Sequence, residues 1–217
     1  MVRRDIFLTT LIITLFIFGL GYGLGSYQDN FRIDDSSYSI KESELETDSL
    51  VTEKVFFEEF GGNSCDNLKE RINNFNKHIY EIGQTLTEFD SKKISKGNDY
   101  NLLKRKYLLL QLNLYTLKHK IQKSCDLKSD TILFIFDSKD NEESIRQGFV
   151  LDSLVNQIPV SIITIDKSFE QEPLVKSLIT YYDIKKAPTL IINYDIKKEG
   201  YTNIPEIKEL LTNEKET

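Results

Sequence analysis

Hydrophobic positions in the middle of the chain recur at alternating intervals of three and four residues, which predicts two amphipathic helices. The first helix, from about Ser64 to Asp90, has its stripe at Leu68, Ile72, Phe75, Ile79, Ile82, Leu86 and Phe89. The second, from about Asp99 to Ser124, has its stripe at Leu103, Tyr107, Leu110, Leu114, Leu117 and Ile121. Because the segment 91–98 between them is polar, we expect a turn there and an antiparallel helical hairpin.

The second helix carries a further apolar strip at Leu102, Leu109 and Leu112. A helix with two apolar faces buries both of them. One face belongs against the first helix. The other packs either on another part of the chain or on a second copy of it, which would make the hairpin a dimerising stalk.

From residue 130 the period changes to that of alternating strands and helices. The predicted strands are Thr131–Phe136, Val160–Ile165, Thr189–Ile192 and a weak one at Gly200–Thr202. The predicted helices are 141–157, 172–182 and 205–211. This order calls for parallel strands joined by right-handed crossovers, followed by an antiparallel hairpin of strands.

The amino-terminal end is a different kind of segment. Residues 6–27 carry no charge, and 6–24 would span about 28 Å as a helix at ~1.5 Å per residue. We therefore predict a signal-anchor transmembrane helix within 1–27. Arg3 and Arg4 would stay in the cytoplasm, so the rest of this single-pass protein would be extracytoplasmic. The alternative is a cleaved signal peptide. Glycines at 19, 21, 23 and 25 have the spacing of helix pairing in membranes, which leaves a homodimer open.

Charge and composition fill in the remaining divisions. Residues 28–52 are acidic and serine-rich, which is typical of a flexible linker. The helical hairpin would then occupy 53–127 and the α/β domain 130–214. The net charge of the 217 residues is -6, so we expect no nucleic-acid partner. With two cysteines and two histidines we expect neither a metal site nor a cofactor.

The two cysteines are placed symmetrically about the predicted turn. The midpoint of Cys65 and Cys125 is residue 95, and residues equidistant from the turn of an antiparallel hairpin lie opposite each other. We expect a disulfide that closes the open end of the hairpin, since exported domains keep such bonds. Two alternatives stay open, a pair of buried reduced thiols and a redox-active pair.

One stretch carries a family resemblance. Residues 182–190 read Tyr-Asp-Ile-Lys-Lys-Ala-Pro-Thr-Leu, with a proline directly before a strand. This segment resembles the cis-proline segment of the thioredoxin fold, and the order of elements after residue 130 is similar to that family. The resemblance covers under half of the chain. It predicts the fold class α/β, with a transmembrane helix, a helical hairpin and a carboxyl-terminal thioredoxin-like domain.

The same resemblance places the site. Thioredoxins have Cys-x-x-Cys at the start of the first long helix, where the helix dipole stabilises a thiolate. Some relatives continue with Gln-Gly, which is Gln147-Gly148 here, so Asn141 and Ser144 occupy the cysteine positions. Neither attacks a disulfide. In the family, the backbone beside the cis-proline binds an extended chain, so the resemblance implies a peptide-binding edge at Ala187, Pro188 and Thr189. The alternative is that Pro188 only shapes its loop.

Three functions follow from these observations. The first is a non-catalytic, membrane-anchored module that binds, or helps to assemble, an exported protein or peptide. The second is a thiol-disulfide oxidoreductase that uses Cys65 and Cys125. The third is a structural protein with a dimerising stalk. We rank them in this order, which favours a protein without catalytic activity and leaves an enzyme as the alternative.

Overall fold

The structure is a computed structural model that divides the chain into two compact units, Met1–Glu59 and Phe60–Thr217. It describes residues 11, 13–22, 45, 49, 52, 56, 65–91, 97–125, 129–139, 142–169 and 172–213. All helices and strands that carry labels below belong to the second unit, which has a mixed α/β architecture.

The predicted transmembrane helix is wrong. In the first unit the described helical residues are Leu11 and 13–22, with single helical positions further on. Across the described ranges, no helix is both long and apolar enough for a membrane span. The fold class is corrected to this extent, and the membrane partner and single-pass extracytoplasmic location inferred from the anchor are also wrong. The rest of 1–27 and most of the linker 28–52 lie outside the described residues.

Two long helices form an antiparallel pair. Helix α1 is Cys65–Ser91 and α2 is Asn98–Cys125. Their facing side chains are buried, namely Leu68, Phe75, Ile82, Leu103, Leu110, Leu114, Leu117 and Ile121. The rings of Phe89 and Tyr100 lie 5.8 Å apart at the closed end of the hairpin. A disulfide joins Cys65 and Cys125 at the open end, where their Cα atoms are 5.7 Å apart.

A four-stranded sheet forms the centre of the second unit. Its strands are β1 Asp130–Phe136, β2 Val160–Asp166, β3 Thr189–Ile192 and β4 Ile196–Glu199, in the order β2-β1-β3-β4. Strand β1 is parallel to β2 and antiparallel to β3, and β3 is antiparallel to β4. The helices between and after the strands are α3 Glu142–Val155, α4 Pro173–Tyr181 and α5 Ile204–Asn213.

The last strand is not where its sequence pattern placed it. We expected a weak strand at Gly200–Thr202, but the chain pairs at Ile196–Glu199 and has left the sheet by Tyr201. The sequence did not predict a strand at 196–199 because Lys197 and Lys198 have low strand propensity. They are compatible with it because β4 is an outer strand, where charged side chains discourage further pairing.

Both faces of the sheet are covered within the chain. One face forms a core with α3 and α5, which consists of Ile132, Phe134, Leu190, Ile192, Leu151, Leu154, Ile207 and Leu211. Side chains that alternate with these, such as Leu133 and Ile163, are also fully buried. Helix α2 packs against β2, and its Tyr115 Oη lies 2.7 Å from Tyr182 Oη.

That packing accounts for the second apolar strip of α2. Leu112 is buried and Leu109 is half-buried within the single chain, while Leu102 is exposed. Most of the strip therefore has an intramolecular partner. The observation that motivated a dimerising stalk is thereby explained without a second copy.

Candidate functional site at the carboxyl edge of the sheet

The sheet brings the predicted site residues to one edge, which we call the carboxyl edge because β1 and β2 end there. Phe136 pairs with Asp166 at the ends of the two parallel strands, and α3 begins a few residues later at Glu142. Thr189 pairs with Ile135, so Pro188 lies at this edge as well. Asn141 lies outside the described residues.

Ser144 sits in the first turn of α3 and is buried. Its Oγ accepts a hydrogen bond from the backbone N–H of Asp137 at 3.2 Å. The hydroxyl therefore ties the start of the helix to the end of β1. A serine in this position satisfies a backbone donor and supplies no nucleophilic sulfur.

The segment predicted to bind peptide is buried. Ala187 is 6% exposed and Thr189 is fully buried, and the Ala187–Pro188 peptide is cis. The Pro188 carbonyl accepts from Gly200 N–H at 2.7 Å, while Thr189 Oγ1 donates to the Lys186 carbonyl at 2.6 Å. Strand β3 also has a neighbour on each side. An incoming chain would meet the surroundings of this segment before the segment itself.

Sequence reasoning missed a polar network at the same edge. Asp166 is 1% exposed, and its Oδ2 accepts from Lys104 Nζ and from Ser138 Oγ, each at 2.7 Å. Its Oδ1 accepts from Ser168 Oγ at 2.7 Å and from the Ser168 N–H at 3.0 Å. Burial alone would raise the pKa of the Asp166 carboxyl, but the hydrogen bonds from Lys104, Ser168 and Ser138 lower it to about 2 from an ordinary 3.8. Such a carboxylate is a weak base, so it does not activate the two serines.

A second ion pair also joins the hairpin to this edge. Glu172 is buried, and its Oε2 accepts from Arg105 Nε at 2.7 Å. Its Oε1 accepts from the Leu174 N–H at 3.2 Å and so caps α4. Consecutive residues of α2, Lys104 and Arg105, therefore hold two buried carboxylates, one at the end of β2 and one after it.

Gln147 anchors α3 to the segment that follows β4. It is fully buried, its Nε2 donates to the Thr202 carbonyl at 3.1 Å, and its Oε1 accepts from the Thr202 N–H at 2.7 Å. The side chain thus pairs with one residue of backbone as a neighbouring strand would. The sequence singled out Gln147 through the family motif, and its contacts are those of a structural tether.

The exposed surface beside these residues is apolar. Ile145 and Phe149 lie one turn apart on α3 and are 61% and 69% exposed. Tyr201 is 42% exposed and its ring lies under the Arg146 guanidinium, 4.7 Å from ring centroid to Cζ. Tyr201 follows β4, whose Glu199 pairs with Thr189, so it too lies at the carboxyl edge. We call Ile145, Phe149 and Tyr201 the apolar patch.

Both cysteines lie far from this edge. Lys104, which contacts Asp166, precedes Cys125 by 21 residues on α2, which is about 31 Å along the helix axis at ~1.5 Å per residue. The two sulfurs are bonded to each other. The structure does not bring the disulfide to Ser144 or Pro188. Among the described residues, no group of three or more His, Cys, Asp or Glu side chains is arranged to hold a metal ion.

Comparisons with known proteins give little beyond a weak structural likeness. No family model matches the sequence, and no curated protein does. The structure of a malarial protein is similar over 40% of this chain and 97% of its own, at 15% identity and a TM-score of 0.34. The structure of chloroplastic thioredoxin z is similar over 46% of this chain and 90% of its own, at 16% identity and a TM-score of 0.36. Likeness at this level assigns no family.

Proposed function

We propose that this chain is a non-catalytic thioredoxin-like protein that binds another polypeptide at the carboxyl edge of its sheet. The observation that carries the proposal is the exposure of Ile145 and Phe149, 61% and 69%, beside an edge that has no sulfur. Where thioredoxins have a reactive cysteine pair, this chain has Ser144 bonded to backbone. The described part of this position supplies a structural hydroxyl, and exposed apolar side chains lie next to it.

The composition of the apolar patch suits a protein partner. Phenylalanine, tyrosine and arginine are enriched at protein interfaces, and aromatic residues with arginine dominate their binding energy. Here Phe149 and Tyr201 supply aromatic area, and Arg146 is already oriented by its contact with the Tyr201 ring. The buried Gln147 holds this part of α3 in place from below. The patch is therefore a rigid surface, which lowers the entropy cost of binding.

Oxidoreductase activity through Cys65 and Cys125 has less support. The bond closes the open end of a packed hairpin and lies about 31 Å along α2 from Lys104, which contacts Asp166 at the carboxyl edge. Cys125 is the last residue of α2, where the helix dipole disfavours a thiolate, whereas Cys65 is the first residue of α1, where the dipole favours one. The helix ends therefore do not decide the question, and the distance from the carboxyl edge is the observation against this function.

The test is the affinity of the full chain for a fluorescent, unfolded polypeptide whose own cysteines are reduced and alkylated, measured by anisotropy. Phe149→Ser is expected to weaken binding about tenfold, because it removes the main apolar contact. Tyr181→Ser is the matched control, since Tyr181 is 80% exposed on α4 and outside the patch. The full chain should also fail to speed the reduction of insulin by dithiothreitol. Equal affinities for the two variants, or catalysed reduction, would refute the proposal.

A further inference from the structure

A second surface lies along the outer edge of β2. It shares no residue with the apolar patch. Strand β2 is the last strand on its side of the sheet. A groove of about 480 Å³ runs beside it, between the hairpin and the end of α3. Its lining includes Tyr80 and Gln84 of α1, Gln111 of α2 and Asp152 of α3.

The groove meets β2 from the side and not from a face. Ser161 and Ile162 both line it, although successive side chains of a strand point to opposite faces of the sheet. A cavity at the edge contacts both, and residues of α2 and of α3 line it together with them. The first three residues of β2 are half-buried, whereas five central residues of β1 are buried. The backbone edge of β2 therefore faces the groove at its amino-terminal half.

The walls of the groove combine apolar and polar side chains, and nearly all of them are uncharged. The apolar part of the lining is Ile79, Leu114, Val155 and Ile162. Gln111 is only 5% exposed, and its Nε2 lies 3.5 Å from Thr164 Oγ1. Asn76, Gln84 and Thr87 line the side formed by α1. Asp152 is the one charged side chain among the lining residues, and it is exposed at the rim. A ligand in the groove thus meets apolar surface, amide and hydroxyl groups, and one negative charge.

We propose that this groove binds an extended peptide segment bearing a lysine or arginine, which adds as a fifth strand to β2. An open strand edge presents a row of backbone donors and acceptors that an extended chain satisfies, and pockets beside it read alternate side chains. A strand rises ~3.3 Å per residue, neighbouring strands lie ~4.8 Å apart, and stacked sheets lie ~10 Å apart. One residue of an added strand therefore occupies about 160 Å³, so the groove holds about three residues. Asp152 selects the basic side chain. The inference goes beyond the proposed function and does not rest on it.

The experiment uses the isotopically labelled full chain and a blocked octapeptide in which valine and threonine alternate around a central lysine. Binding is followed through the backbone amide signals. Changes are expected at 160–164 and at Gln84 and Gln111. A twin peptide with N-methyl groups on three consecutive amides blocks both of its own edges, so its affinity should be at least about tenfold lower. A twin with glutamate for lysine should also bind more weakly.

Two substitutions separate the groove from the rest of the molecule. Asp152→Lys, at an exposed position, should weaken the lysine peptide about fivefold. Glu209→Lys makes the same charge change on α5, outside the groove lining, and should have no effect. Gly83→Phe should abolish binding by filling the groove, because a Cβ there meets only the Tyr107 ring, at 3.5 Å. If that variant fails to fold, Asp152→Lys and the methylated peptide still decide the question.

Several results would overturn the inference. These are no change at 160–164, equal binding of the methylated peptide, or changes confined to 145–149. If the amide signals of β2 change as the protein concentration rises without peptide, a second copy of the chain occupies the edge. A neutral oligosaccharide that shifts the same signals when the peptide does not would mean that the amide and hydroxyl groups of the groove bind sugar. The Phe149→Ser variant should bind the octapeptide as the parent does, so failure here is distinct from failure of the proposed function.

Discussion

A single buried carboxylate connects three parts of the molecule. Asp166 ends β2, bonds Ser138 after β1 and pairs with Lys104 of the hairpin. The sequence offered one signal for it, an acidic residue directly after an apolar strand. It could not identify Lys104, because the two residues are 62 positions apart and their contact depends on how α2 packs against β2.

Asp166→Asn tests this contact. The folded pKa of about 2 lies below the ordinary 3.8, so the ionised form stabilises the fold by about 2 kcal/mol above pH 4. That contribution is lost as pH falls through 2. The free energy of unfolding in urea should be about 2 kcal/mol higher for the parent than for the variant at pH 7, and the difference should be much smaller near pH 2. Asp152→Asn, at an exposed position, is the control and should change stability little. A difference that is the same at both pH values would contradict the account.

Gln147 is a second residue whose role only the structure shows. Gln147→Leu should cost about 2–4 kcal/mol, because it leaves the N–H and C=O of Thr202 buried without partners. Gln157→Leu, on an exposed turn after α3, should stay within about 0.5 kcal/mol of the parent. Chemical denaturation of both variants measures the difference. A Gln147→Leu protein as stable as the Gln157→Leu protein would show that Thr202 finds other partners.

At the scale of elements, the predictability of a segment followed the strength of its period. The stripes that begin at Leu68 and Leu103 predicted α1 and α2, because every apolar position of a long stripe supports the same helical period. Strand β4 was missed because Lys197 and Lys198 suit an outer strand and not a buried one. The turn between β3 and β4 contains Asn193 and Tyr194 at positive φ. A tyrosine rarely adopts this conformation, so its presence in the sequence does not predict such a turn.

Removal of the disulfide should lower the stability of the fold. It closes a loop of 60 residues, which in the chain-entropy model stabilises the fold by about 4 kcal/mol. The Cys65→Ser, Cys125→Ser double variant should unfold at a correspondingly lower urea concentration. It should keep its far-ultraviolet circular dichroism, because the buried stripes of α1 and α2 remain. Parent and variant with equal midpoints would mean that the bond does not constrain the unfolded chain.

At the scale of the whole molecule, the hairpin and the sheet of 60–217 are one unit. Lys104 and Arg105 contact carboxylates at the end of β2 and after it, and Tyr115 contacts both Tyr182 and Tyr194. The sequence predicted each part and not their mutual packing, since the hydrophobic period of α2 says that a second face is buried without saying against what. At the amino-terminal end, an uncharged run predicted a membrane span that the described helices do not provide.

This packing predicts one cooperative transition. Hairpin helicity, followed by circular dichroism, and the environment of the tyrosines around Tyr115, followed by fluorescence, should be lost at the same urea concentration. The variant Lys104→Met should shift both signals together, because it leaves the Asp166 charge buried and unpaired. Lys176→Met, at an exposed position on α4, should shift neither. Two separate transitions would mean that the hairpin and the sheet fold independently.

The central claim is that polypeptide binding, without thiol chemistry, takes place at the carboxyl edge. The most direct measurement is amide hydrogen exchange of the full chain, with and without the alkylated unfolded polypeptide. We predict slower exchange at 142–149 and around Tyr201, the residues that carry and flank the apolar patch. Slower exchange confined to α1 and α2, or none in the second unit, would contradict the account.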